Sequence, residues 1–185
     1  MINMPKINKK SIGERLKDIR LIVSDVDGVL TTGAISFDSS GKEIKTFHVK
    51  DSFRITIWLR SGNRMLWFTG RKSPGVVVRA KEVEVDLVFK QAIHDGLFAY
   101  VKEKYGVDKQ QVLYVGDDWS DLYYMSNFGV SVAPQNATEE NKKVADIITK
   151  TRGGEGVLSE IVETVMRAQG TWQKHVDQYL KKFIL

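Results

Sequence analysis

Six short apolar runs rich in β-branched residues, at 21–24, 65–68, 87–89, 112–115, 130–132 and 147–148, recur along the chain with helical patterns between them. Strands alternating with helices build a parallel sheet covered by helices, since parallel neighbours need a long crossover between them. Helices are expected near 53–59, 75–83, 97–105, 121–125 and 139–144, with Pro74 suited to the first turn of the second. The fold class that follows is α/β, a Rossmann-like parallel sheet flanked by helices. The rhythm breaks once. Residues 34–37 and 43–49 read as two strands around the turn-forming Asp38-Ser39-Ser40-Gly41, a β-hairpin inserted directly after the first strand. An insertion there overhangs the carboxyl ends of the strands, where open α/β sheets bind ligands. Beyond Arg152-Gly153-Gly154-Glu155-Gly156, the residues Val157, Leu158, Ile161, Val162, Val165 and Met166 share one helical face. Trp172, Val176, Tyr179, Leu180 and Phe183 repeat such a stripe, which suits packing against the body or a neighbouring subunit. A single domain over 1–185 is expected, with a core at 19–170 and a helical tail at 171–185.

Composition closes off several chemistries. The chain has no cysteine, so disulfides, thiolate metal sites and cysteine nucleophiles are out. Residues 1–10 carry three lysines and no apolar stretch of signal-peptide length, and no run approaches a membrane span. A cytoplasmic protein with no membrane partner is the expectation. The net charge of +5 suits an anionic metabolite as well as nucleic acid. Without zinc-finger spacing or interleaved aromatic and basic residues, nucleic acid is the weaker reading.

Three clusters carry chemistry. The apolar run at 21–24 ends in Asp25-Val26-Asp27-Gly28, two carboxylates on one side of the extended chain followed by a residue free to turn. Converging carboxylates repel each other and need a cation, and magnesium prefers such oxygen ligands. Taken alone, the segment is equally an Asx-type turn. The second cluster, Gly116-Asp117-Asp118-Trp119-Ser120-Asp121, also follows an apolar run and could by itself be a helix cap. Together the two supply three carboxylates for one cation. The third, Thr69-Gly70-Arg71, offers a hydroxyl and backbone N–H groups as an anion nest beside a planar cation. The combination implies phosphoryl transfer to Asp25, with Asp27 as general acid and base.

These motifs resemble those of the haloacid dehalogenase superfamily. The hairpin, His48-Val49-Lys50-Asp51, Thr69-Gly70-Arg71-Lys72-Ser73-Pro74, the glycine-rich segment at 152–156 and Arg167-Ala168-Gln169-Gly170 resemble the 3-deoxy-D-manno-octulosonate 8-phosphate phosphatases, over about 19–170. The resemblance implies a magnesium-dependent phosphatase of lipopolysaccharide synthesis, acting through an aspartyl-phosphate. Asp25 is then nucleophile and metal ligand, Asp27 acid/base and a metal ligand through its carbonyl, and Asp117 the third ligand, with Asp118 and Asp121 in support. Thr69 and Gly70 hold phosphate, while the loop 48–52, with His48, Lys50 and Asp51, joins Arg71 and Arg79 in facing the sugar acid. The family also implies a homotetramer with no large cap domain, its sites closed by hairpins and tails of adjacent subunits.

The chain departs from the family in three places. The usual Arg-Asp-Gly-x-Gly is replaced by Lys50-Asp51-Ser52-Phe53-Arg54, and Thr32 stands for a common aspartate. The expected phosphate-binding lysine aligns with Gly96 or His94, neither a lysine. Lys90 lies close enough in sequence to bring its ammonium to the phosphate, or it is an ordinary solvated charge. His48 and His94 read alone as structural histidines, and Trp58, Trp67 and Trp119 as core or rim. The competing readings are a phosphatase for a nine-carbon nonulosonate 9-phosphate or other sugar phosphate, and a degenerate relative serving as an oligomerising or regulatory subunit.

Overall fold

The first apolar run is buried at every position, as a strand is when it lies inside a parallel sheet covered on both faces. The computed structural model describes residues 10–92 and 96–181. Its strands are β1 (Leu21–Ser24), β2 (Ser36–Phe37), β3 (Glu43–Ile44), β4 (Arg64–Thr69), β5 (Asp86–Phe89), β6 (Val112–Val115), β7 (Val130–Ala133) and β8 (Ile147–Ile148). Its helices are α1 (Ile12–Asp18), α2 (Val49–Arg60), α3 (Pro74–Glu82), α4 (Gly96–Tyr105), α5 (Leu122–Asn127), α6 (Glu139–Val144), α7 (Val157–Ala168) and α8 (Trp172–Lys181). Six strands form one sheet in the order β5-β4-β1-β6-β7-β8, every pairing parallel. The chain leaves β1 for one side of the sheet and returns to β6 on the other. That reversal opens a crevice beside the carboxyl end of β1.

Side chains alternate between the two faces of β1. Ile22 joins one core cluster with Trp67, Leu113 and the apolar stripe of α7. Leu21 and Val23 join the other, with Phe68, Leu97, Val101, Tyr114 and Met125. All six residues of the expected α7 stripe are buried. In α8 Trp172 is buried between Arg54 and Arg167, and Tyr179 meets Phe53 edge-on. Phe183, the last member of that stripe, lies outside the described residues. Among the described residues no helix is long and apolar enough to cross a membrane.

The hairpin differs from expectation. Its strands are two residues each and end at Ile44, and Val49 opens a helix instead of closing a strand. His48 is the N-cap, its Nδ1 accepting the Lys50 N–H at 3.3 Å. Asp51 in the first turn complements the helix dipole. The segment 48–52 is therefore a helix start and not a loop. Helix α1 was not anticipated, although Ser11-x-x-Glu14 is a capping box: the Ser11 N–H donates to Glu14 Oε2 at 2.8 Å, and the Glu14 N–H to Ser11 Oγ at 3.3 Å.

Candidate active site

Asp25 follows β1 directly and stays in register with the sheet, its N–H donating to the Val115 carbonyl at 3.0 Å. The chain then wraps, with the Leu30 and Thr31 N–H groups both donating to the Val26 carbonyl, at 2.9 and 3.1 Å. Gly28 sits at φ +90°, and a Cβ there would fall 1.9 Å from Asp117 Oδ2. Only glycine lets the Asp117 carboxylate come this close to the first motif. Asp117 leaves β6 two residues after Val115, and its N–H donates to Asp121 Oδ2 at 3.2 Å. One ligand-capable oxygen from each of Asp25, Asp117 and Asp121 lies within 4.8 Å of the others. Asp121 is fully buried, its Oδ1 accepting the Tyr114 hydroxyl at 2.8 Å.

Three carboxylates so close in a dry crevice cannot all ionise without help. Burial, with Asp121 and Asp117 beside it, pushes the Asp25 carboxyl well above its ordinary range, although Lys90 opposes the shift. Burial, then Asp121 and Asp118, pushes Asp117 up to about 7. A hard divalent cation meets this demand, and the carboxylate oxygens of Asp25, Asp117 and Asp121 suit it.

Metal-free stability should therefore fall between pH 5 and pH 8. The folded state holds protons that the unfolded chain has released, so the stability these carboxylates add below about pH 4 is lost as pH rises through their folded values. For Asp117 the loss is at most about 4 kcal/mol. The carboxylates shifted the other way, such as Glu14, Asp86 and Glu160, titrate below this window and do not mask it. Melting curves in chelator should give a higher Tm at pH 5 than at pH 8, and magnesium should raise Tm more at pH 8. A chelated Tm that climbs from pH 5 to 8 would contradict the account.

The anion side comes from β4 and β5. Thr69 ends β4 almost fully buried, its hydroxyl accepting the Arg71 N–H at 3.2 Å. Phe89 pairs with Thr69, so the next residue, Lys90, emerges level with Gly70. A Cβ at Gly70 would stand 3.6 Å from Lys90 Cδ, and Gln91 Nε2 donates to the Gly70 carbonyl at 2.7 Å. The Lys90 ammonium ends 3.7 Å from Asp25 Oδ1 and 3.3 Å from Asp121 Oδ1, with its side chain 22% exposed. Burial works against its charge, yet Asp121 and Asp25 outweigh burial and hold it above the ordinary lysine value.

Comparison with known proteins fits this geometry. The haloacid dehalogenase-like hydrolase family matches residues 69–161. The 3-deoxy-D-manno-octulosonate 8-phosphate phosphatase of Haemophilus influenzae is 33% identical over 85% of this chain and 88% of its own. That of Escherichia coli K12 is 34% identical, over 84% of each. The chain belongs to this phosphatase family, within the haloacid dehalogenase-like hydrolases. The Moraxella catarrhalis phosphatase, solved with magnesium, phosphate and the sugar acid KDO, superposes with TM-score 0.85 at 31% identity, over 93% of this chain and 99% of that one. The cobalt-bound Haemophilus influenzae enzyme superposes with TM-score 0.78 at 29% identity, over 85% and 93%.

Measured against that phosphatase family, the substitutions acquire places. Gly96 opens α4 with φ +79° and no side chain to offer, and His94 lies outside the described residues. Lys90 is the cation that the described residues set on Asp25. Asp118 is exposed and serves as a cap, its Oδ1 accepting the Trp119 N–H at 2.7 Å. Asp51 is buried and turned to α7, where Oδ1 accepts the Ser159 N–H at 2.7 Å; burial raises it to about 6. His48 lies against Gly156, and Lys50 is exposed. Arg79 pairs with Glu82 at 2.7 Å and donates to the Ser52 hydroxyl. Arg71 is 43% exposed, its Nε donating to Glu43 Oε2 at 2.7 Å. Trp58 and Trp67 are core, and Trp119 stands on the rim at 66% exposure.

Sequence reasoning missed two residues of the site. Lys45, just past β3, donates to the Asp27 carboxylate, and Glu43 lies between Lys45 and Arg71. A lysine beside a hairpin strand carries no signal of this, because the hairpin's fold is what brings it to Asp27.

Proposed function

We propose that this protein hydrolyses 3-deoxy-D-manno-octulosonate 8-phosphate to the free sugar acid and inorganic phosphate, with magnesium as cofactor. The observation that carries the reading is the trio Asp25, Asp117 and Asp121 faced by the Lys90 ammonium, in a chain alike over most of its length to phosphatases of that name. An Asp25 carboxylate oxygen attacks phosphorus; the bond to the sugar oxygen breaks, and that oxygen takes a proton from Asp27. Water then attacks the aspartyl-phosphate and gives its proton to Asp27, and the bond between phosphorus and Asp25 breaks. Asp25, Asp117 and the Asp27 carbonyl would hold the metal, with Asp118 and Asp121 behind them. Magnesium, when bound, orients the phosphate and offsets its charge.

Thr69, Gly70 and Lys90 hold phosphate oxygens in this reading. Arg71 and Lys50, both exposed, meet the sugar carboxylate in this reading, while His48, Asp51 and Arg79 act by fixing the start of α2. We take the working form to be a cytoplasmic homotetramer of single-domain subunits, with no nucleic-acid or membrane partner. The exposed hairpin residues Ile35, Phe37 and Ile44, with the neighbouring Val49, support subunit contacts there. A charged sugar phosphate does not cross membranes unaided, which supports the compartment.

The substrate assignment is tested by measuring kcat/KM on this ester beside a nonulosonate 9-phosphate. The eight-carbon ester should lead by about 10-fold or more, the scale on which small differences in fit are discriminated. The opposite ranking would reassign the substrate and leave the chemistry intact.

A further inference from the structure

Asp27 has a partner that the reaction as written does not use. The Lys45 side chain is 1% exposed, and its ammonium donates to Asp27 Oδ1. Its other counter-charge is Glu43, whose Oε1 lies 3.8 Å away and whose Oε2 is held by Arg71. The Lys45 stem runs past Gly75 at the start of α3, where a Cβ would stand 3.4 Å from Lys45 Cβ and 3.6 Å from Cγ. Asp27, by contrast, keeps 27% of its side chain exposed.

We propose that Lys45 is a positioning residue that fixes the Asp27 carboxylate toward the leaving oxygen of the ester. The inference rests on the phosphatase reading above. General acid catalysis depends first on geometry, since the acid must lie within hydrogen-bond reach of the oxygen it protonates. A carboxylate free to swing about two side-chain torsions meets that condition only part of the time. Lys45, held by its stem against Gly75 with the Glu43 charge 3.8 Å away, removes the freedom on one oxygen and leaves the other for the reaction. Glu43 shares its charge with Arg71 at the rim, so the clamp is tied to the part of the groove nearest the sugar acid.

The alternative is an ion pair that merely ties the hairpin to the body. Leaving-group dependence separates the two. A primary alkyl phosphate expels a poor leaving group and needs protonation, whereas p-nitrophenyl phosphate expels a stable phenolate and hardly does. The quantity to measure is kcat/KM, which reports the transfer to Asp25. With Lys45→Met, kcat/KM on primary alkyl esters, the sugar-acid phosphate among them, should fall on the order of 10²-fold. On p-nitrophenyl phosphate it should fall less than about 3-fold, and Lys45→Arg, which keeps a cation, should recover most of the alkyl activity. Equal losses on both ester classes, or no loss on either, would overturn the proposal. If Lys45→Met does not fold, Lys45→Gln carries the same comparison. Wild type and Asp25→Asn run alongside as controls. Hydrolysis by wild type and none by Asp25→Asn leaves the phosphatase reading standing, so the Lys45 ratio alone judges this inference. No hydrolysis of any ester by wild type removes both.

Discussion

Replacing Asp25 with Asn is expected to lower kcat by at least about 10⁴-fold while raising the melting temperature of the metal-free protein at pH 8. The first effect follows from losing the group that attacks phosphorus. An amide of the same shape cannot form the aspartyl-phosphate. The second follows from the electrostatics. Asp25 is buried beside Asp121 and Asp117, and its ionised form is costly in the folded state. Asparagine removes that charge and keeps the volume. Magnesium should then stabilise the variant much less than wild type, because one of its carboxylates is gone. Turnover assays with phosphate detection check the first part, and melts with and without magnesium check the second. Retained turnover would end the covalent mechanism; a lower metal-free Tm would end the account of the carboxylate trio.

Replacing Lys90 with Met should reduce kcat/KM by about 10²–10³-fold, the usual cost of removing one well-placed electrostatic partner from a water-poor site. The ammonium stands 3.7 Å from Asp25, where a phosphate dianion must approach an anionic nucleophile. Lys90→Arg should restore part of the activity, limited by the fit of a planar fork beside Gly70. Loss of the lysine should also lower metal-free Tm at pH 8, since it partly offsets the charge on Asp25 and Asp121. Full activity in Lys90→Met would mean that another cation serves the phosphate. Such a result would leave Lys90 with a structural role only, as the ion-pair partner of Asp25 and Asp121.

Much of this architecture could be read before any coordinates. Strands β1 and β6 have the bounds that apolar runs implied, because strands buried on both faces must be apolar throughout; the edge strand β8 has them too, although Ile148 is exposed. The buried face of α7 likewise follows from a 3.6-residue period. The acidic motifs were legible for a related reason. Asp25 and Asp117 follow the ends of β1 and β6 and Thr69 is the last residue of β4, and parallel strands all present their carboxyl ends on one edge. Residues that belong to one site were therefore recognisable although far apart in sequence.

The hairpin is where reading by pattern stopped. Residues 43–49 alternate well enough for a strand, but a two-stranded ribbon gains little on its own. His48 capping α2 and Asp51 in its first turn decided that the chain becomes helical there. The same limit hid Lys45 and left Lys90 open between two roles. The run of local patterns in the chain told which residues end strands and which faces are apolar, since both depend on near neighbours. Which lysine meets which carboxylate depended on strand register, on a glycine that lets Asp117 approach Gly28, and on a hairpin folding across the crevice. Those contacts join residues up to 89 positions apart, as Gly28 and Asp117 are, and only the packed tertiary structure sets such distances, because no local periodicity encodes them.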